Sequence, residues 1–206
     1  MSKNGKDKAQ EAAEALLDAD AAVVEAVEPW RHTAAVKAIG WISEVGDQPQ
    51  MRILCGAVTA AGLAGRSKRL TRAGLRMIAA HTLATEAKNV VKKRVDRSRP
   101  RSRGGEGGHK PKPGRNTSKE ETSFPSGHSA GAAAVARAYA REFPEHKAAA
   151  YAGAGAVALA QIPRCAHYPT DVGVGLALGL VSEAVLDPLL EPQFDAFQLY
   201  GDEPEE

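Results

Sequence analysis

Three clusters in the 206-residue chain have residue types and spacings suited to handling a phosphate group. The first is Lys92 followed by Arg99-Pro100. The separation is two helical turns, so a continuing helix would place both cations on one side. Pro100 disfavours helix at Arg99 and swings it into extended chain. Alone, the pair also fits a basic helix end, where Lys and Arg meet the negative end of the dipole.

The second cluster is Phe124-Pro125-Ser126-Gly127-His128-Ser129, directly before an alanine-rich helical stretch. Ser126 is a helix-start residue, Gly127 lets the backbone approach a ligand, and unpaired N–H groups there suit an anion. His128 adds a side chain that gives or takes a proton near neutral pH. Alone, this is equally a helix cap with an incidental histidine. The third cluster is His167-Tyr168-Pro169-Thr170-Asp171. A carboxylate near a histidine holds one ring nitrogen and leaves the other free to attack. The plain alternative is that Thr170 and Asp171 start a helix and His167 sits in the loop before it.

Several elements must position these groups. Helical patterning runs over residues 8–27, 30–45, 52–64, 74–93, 127–141, 148–161 and 170–186. Gly46 and Asp47-Gln48-Pro49 punctuate the second and third stretches, and a basic link, residues 66–72, separates the third and fourth. Residues 96–122 carry no apolar periodicity and are rich in Arg, Lys, Gly and Pro, which predicts one long functional or disordered loop. The division is a charged N-terminal segment (1–17), a helical domain (18–188) and an acidic, loosely held tail (189–206). These stretches predict an all-α fold of about six to seven helices.

Composition narrows the function. Two cysteines, Cys55 and Cys165, exclude a disulfide framework and a Cys-rich zinc module. The net charge of +2 hides a balance of +11 up to Arg164 and −9 from Cys165 onward. A basic body implies phosphates, nucleic acid or an anionic membrane surface as partner. No signal-peptide pattern is seen, because Lys3, Lys6, Asp7 and Lys8 interrupt any apolar core there. The uncharged runs 148–163 and 172–182 fall short of the ~18 to 20 residues of a spanning helix, so hydropathy alone leans soluble and cytoplasmic.

In this order, Lys92…Arg99-Pro100, Pro125-Ser126-Gly127-His128 and His167…Asp171 resemble the signature of the type 2 phosphatidic acid phosphatase and vanadium haloperoxidase superfamily. The resemblance covers roughly residues 18–186, and Gly46-Asp47 with its flanking helices is similar to the short bacterial members. It implies a single all-α bundle with the active site where helix ends and loops converge, with His167 as a nucleophile forming a phosphohistidine, Asp171 as its orienting partner, and His128 as the acid for the leaving oxygen. It implies that Lys92, Arg99 and the backbone at Ser126 and Gly127 bind phosphate oxygens. It implies no metal or cofactor, vanadate as an inhibitor, and association with a membrane. One departure stands out: where the family has Ser-Arg six residues before the nucleophile, this chain has Ala160-Gln161. Arg164 and Gln161 are the candidates to serve the phosphate in its place; the alternative for Arg164 is a cap on the preceding helix.

The leading function is therefore hydrolysis of a phosphate monoester or a terminal diphosphate phosphate, on a lipid such as phosphatidic acid or a prenyl diphosphate. Loop cations Arg97, Arg101, Arg103, Lys110, Lys112 and Arg115 would meet anionic headgroups. Vanadate-dependent halide oxidation is a second enzymatic reading, for which the chain is short. A non-catalytic anion- or nucleic-acid-binding protein is the alternative from another class. Nucleic acid is not expected, because the loop lacks interleaved aromatics for base stacking. Oligomeric state is not legible.

Overall fold

The computed structural model describes residues 3–102 and 108–199. Arg103 of the basic loop and the tail beyond Leu199 lie outside the described residues. Among these there are seven α-helices: α1 (Lys3–Val27), α2 (Ala34–Ser43), α3 (Gln48–Ala64), α4 (Lys68–Lys92), α5 (Gly127–Glu142), α6 (Lys147–Leu159) and α7 (Pro169–Leu199). The only sheet among the described residues is a two-residue antiparallel ladder, β1 (Val95–Asp96) with β2 (Lys112–Pro113). The all-α bundle expected from periodicity is the fold.

Local chemistry sets several boundaries. Ser67 caps α4, its Oγ accepting from the Leu70 amide at 3.3 Å, so most of the expected basic link is in fact the first turn of this helix. α3 starts at Gln48, with Pro49 in its first turn where the missing N–H costs nothing. The single helix expected over residues 30–45 is shorter, because Thr33 caps α2 and tight 3-10 turns, Glu28–Trp30 and Glu44–Gly46, flank it. The second of these turns aims Glu44 and Asp47 at the site.

Two expectations about the C-terminal part are overturned. α7 does not stop near Leu186 but passes through Pro188 and Pro192 to Leu199. Both prolines lie on the exposed side, where the bonds they forfeit face solvent or lipid. Nor is the start of the acidic tail, residues 189–194, loosely held. Glu191 Oε1 accepts from Arg76 Nη2 at 2.6 Å, and Phe194 is buried beneath Arg72 and Arg76. Arg76 is fully buried and also reaches Asp187 at 2.6 Å, Glu142 at 3.2 Å and Glu183 at 3.4 Å. This network clamps α4, α5 and α7 about 24 Å along α4 from Lys92.

α5 is the central helix, packed against α3, α4, α6 and α7. Its inward face is almost wholly alanine: Ala130, Ala133, Ala134, Ala136 and Ala138 are all buried. Such small side chains let helices approach closely. A Cβ on Gly175 would lie 2.5 Å from the Ser126 carbonyl, and one on Gly179 2.2 Å from that of Ala130. α7 therefore lies backbone to backbone on α5, and the Ser126 amide donates to the Asp171 carbonyl at 3.0 Å. That bond brings two of the three sequence clusters together.

Larger apolar side chains face outward. Trp41, Ile42, Ile53, Leu63, Leu159, Val181, Val185 and Leu189 are all exposed. With α7 continuous, Pro169–Phe194 is long and apolar enough to cross a membrane, and only 28% of its most apolar window is buried in the protein. The run 172–182 is thus part of a longer apolar helix, whereas 148–163 lies mostly in the short α6 and still falls short.

Candidate active site

The three clusters converge on one cavity of about 180 Å³. Its walls include Lys88 and Lys92 from α4, Arg99 and Arg101 from the following loop, Gly127 and His128 from α5, and Gln161, Arg164, Ala166 and His167 from the α6–α7 connection. Glu44, Gly46, Asp47 and Lys119 complete the rim.

His167 is buried, and a turn holds it in place. The amides of Ala166 and His167 both donate to the Gln161 carbonyl, at 3.1 and 3.3 Å, and Cys165 takes a left-handed φ of 50° to make the bend. His167 Nε2 lies 3.3 Å from Arg99 Nη1. A guanidinium only donates, so Nε2 presents its lone pair there and the ring proton resides on Nδ1. Nδ1 points toward Asp171 Oδ2 at 3.6 Å and Ser123 Oγ at 3.5 Å. The carboxylate contact is longer than a hydrogen bond, and such contacts tighten when substrate binds. Burial, reinforced by Arg99 and Lys92 and opposed by Asp171, pushes the His167 pKa down to about 4. That keeps the ring neutral at pH 7.

Asp171 is itself held from several directions. Ser123 Oγ donates to Oδ2 at 2.6 Å, the Tyr168 amide donates to Oδ2 at 3.0 Å, and Arg97 Nη1 donates to Oδ1 at 2.6 Å. Arg97 is fully buried, stacks on the Tyr168 ring at 3.9 Å and donates through Nη2 to Asp20 Oδ2 on α1 at 2.8 Å. Asp20 in turn accepts from the Thr170 amide at 2.9 Å. Arg97, grouped by sequence with cations meeting headgroups, is a buried positioning residue instead. Backbone bonds tie the described part of the loop that carries it: the Arg97 amide donates to Glu121 and the Ser123 amide returns to Arg97.

The cations crowd one another. Lys92 Nζ donates to the Thr122 carbonyl, and burial with the nearby Arg99 and Lys88 lowers its pKa to about 7. Arg99 donates to the Lys119 carbonyl at 2.7 Å and the Ala166 carbonyl at 3.0 Å, and burial lowers its pKa as well. Positive groups packed this way are complemented by an anion.

The helix start divides differently from expectation. Ser126 is wholly buried; its Oγ caps α5 at the Ser129 amide and its own N–H is spent on Asp171. It positions rather than contacts. Gly127 lines the cavity, and the Gly127 and His128 amides are first-turn donors without an intrahelical acceptor. His128 Nε2 lies 3.0 Å from Asp47 Oδ1 but off-line, so the nitrogen has no hydrogen bond. Burial and Arg164 lower the His128 pKa to about 4, while burial beside Glu44 raises that of Asp47.

Gln161 and Arg164 both line the cavity, and each spends donors on other partners. Gln161 Nε2 donates to the Val157 carbonyl at 2.9 Å. Arg164 donates to Ser43 Oγ at 2.7 Å and pairs with Glu44. The capping alternative for Arg164 is corrected by this: its guanidinium is tied to the cavity rim through Ser43 and Glu44 and does not cap α6. Sequence reasoning missed Ser123, Arg97, Asp20 and Lys88. Only Lys88 carried a signal, one turn before Lys92 on the same helix face.

A buried histidine beside a held carboxylate, in a cation-lined cavity at two helix starts, suits a hydrolase of phosphoric esters. The chain belongs to the PAP2 superfamily, whose family model matches residues 73–188. Its fold is similar to that of the first transmembrane PAP2 type phosphatidylglycerolphosphate phosphatase from Bacillus subtilis. That match has a TM-score of 0.63 and 24% identity and covers 86% of this chain and 87% of that one. It is also similar to Aquifex aeolicus LpxE, with a TM-score of 0.55 and 18% identity over 79% of this chain and 90% of that one. No curated protein matches the sequence.

Proposed function

We propose that the protein removes a phosphate from a lipid phosphate monoester or lipid diphosphate through a phosphohistidine on His167. His167 Nε2 attacks phosphorus, and the P–O bond to the leaving group breaks as His128 gives that oxygen its proton. Water then attacks the phosphohistidine and returns a proton to His128, and inorganic phosphate leaves as His167 regains its lone pair. Asp171 steadies the positive charge on His167, and Lys92, Arg99 and the Gly127 and His128 amides stabilise the phosphoryl oxygens. The observation that carries this reading is His167 Nε2 facing the cavity beside Arg99, with Nδ1 turned toward Asp171.

The lipid assignment rests on the outer surface and on a neighbouring groove. Next to Gly46, an apolar groove of about 360 Å³ is lined by Val45, Leu54, Ala132, Val135, Gly153 and Val157. Its position suits a hydrocarbon chain whose phosphate lies in the cavity. The exposed apolar side chains give the protein a surface for membrane association, and the similarity to a transmembrane phosphatase supports it. Phosphate release from phosphatidic acid, a prenyl diphosphate and an aryl phosphate tests the reading. Faster kcat/KM on the lipids, lost in His167→Ala, is expected. Turnover that persists in that variant would sink the nucleophile assignment.

A further inference from the structure

We propose that Lys88 is a substrate-binding residue, supplying to the transferred phosphoryl group the third cation that Gln161 does not. This rests on the phosphohistidine reading of the same cavity.

Lys88 sits on α4 one turn before Lys92 and is only 6% exposed. It lines the cavity together with Gly127 and Gln161. A Cβ on Gly127 would stand 3.2 Å from Lys88 Cδ and 3.7 Å from Nζ, so the ammonium lies directly over the α5 helix start. Among the described residues Nζ has no hydrogen bond or ion pair; Glu86, the nearest opposing charge, is exposed and two residues along the same helix.

A buried ammonium without a partner is costly, and proteins retain one where a ligand supplies the countercharge. Of the other cavity cations, Lys92 and Arg99 each spend donors on backbone carbonyls, Arg101 and Arg164 pair with Glu120 and Glu44, and Lys119 stands on the exposed rim. Lys88 therefore has both the position and the unspent donors. A phosphoryl group in transit carries negative charge on three equatorial oxygens, and Lys88, Lys92 and Arg99 together match that demand. The glycine at position 127 is also accounted for: a side chain there would press on the Lys88 stem.

The test compares Lys88→Met, Lys88→Gln and Lys88→Arg with the unaltered protein, measuring orthovanadate binding by calorimetry, kcat/KM by phosphate release, and thermal stability. Lys88→Met keeps the length of the side chain and removes the charge. Vanadate affinity and kcat/KM are expected to fall ~10²–10³-fold, the scale of losing one oxyanion donor, while Tm stays level or rises because a buried unpaired charge is gone. Lys88→Arg should retain most of both, and Gln161→Arg added to Lys88→Met or Lys88→Gln should restore part. Unchanged vanadate affinity in Lys88→Met or Lys88→Gln would overturn the proposal. So would a loss of affinity that merely tracks a falling Tm. If the unaltered protein neither binds vanadate nor releases phosphate, the phosphatase reading fails first and this one falls with it.

Discussion

Arg97 Nη1 donates to Asp171 Oδ1 at 2.6 Å, and both side chains are completely buried. The other terminal nitrogen of Arg97 goes to Asp20 on α1, so the carboxylate behind His167 is fixed through a residue 151 positions away. Removing Arg97 would strand two buried carboxylates at a cost of about 3–5 kcal/mol, too blunt a change to read. Asp20→Asn is the gentler probe. It should lower kcat several-fold with KM little changed, because it loosens Asp171 without touching the phosphate. A steady-state kcat and KM comparison checks this; equal loss in Arg97→Lys would support the same route.

His167→Ala should abolish turnover and prevent trapping of an acid-labile phosphoenzyme from labelled substrate. Asp171→Asn should keep the fold and lose ~10²–10⁴-fold in kcat, since an amide favours the wrong ring tautomer. Rapid quench followed by mass spectrometry of the His167 peptide reads both.

His128→Ala should cost ~10²–10⁴-fold on alkyl phosphates and much less on an aryl phosphate, which needs little protonation of its leaving group. The pH profile carries the same assignment. His167 must be neutral, so kcat/KM falls as pH drops through about 4. His128 must be protonated in the complex. Its pKa of about 4 in the empty cavity is raised by the bound phosphate's negative charge, so the alkaline limb of kcat should lie above that of kcat/KM.

Arg164→Ala should weaken phosphate binding by less than ~10-fold, because its charge is already shared with Glu44 and the pair is partly exposed. It should also shift the alkaline limb upward, since Arg164 is one of the charges that lower the His128 pKa. Glu44→Gln leaves the Arg164 charge uncompensated and should move that limb downward. Two pH–rate profiles decide it.

Membrane association through apolar side chains should resist high salt and yield to detergent, unlike attachment through loop cations, which salt screens. Trp41 and Ile42 are 81% and 63% exposed on α2. Replacing both with Lys should shift the protein toward the soluble fraction while leaving hydrolysis of a soluble aryl phosphate intact. Fractionation with an activity assay on the same samples reads both effects.

Much of this protein is local and so was legible in one dimension. Helix periodicity, Ser126 as a cap, and the order Lys92, Arg99, His128, His167, Asp171 depend on neighbours within a few residues. The class of chemistry followed from them. What tertiary structure decided was which polar atoms are already spent. Ser126 and Gln161 stand in the right segments, yet the Ser126 amide goes to Asp171, its hydroxyl accepts as the α5 cap and the Gln161 amide goes to Val157, while Arg164 goes to the rim. Lys88 looks like any helix lysine until Gly127 is placed against it. Pro188 and Pro192 read as the end of α7 by local rules, but Glu191 and Phe194, held by Arg72 and Arg76 of α4, carry the helix past them. A proline inside a helix costs about 3 kcal/mol, whereas leaving the buried Arg76 network short of a partner would cost about 3–5 kcal/mol.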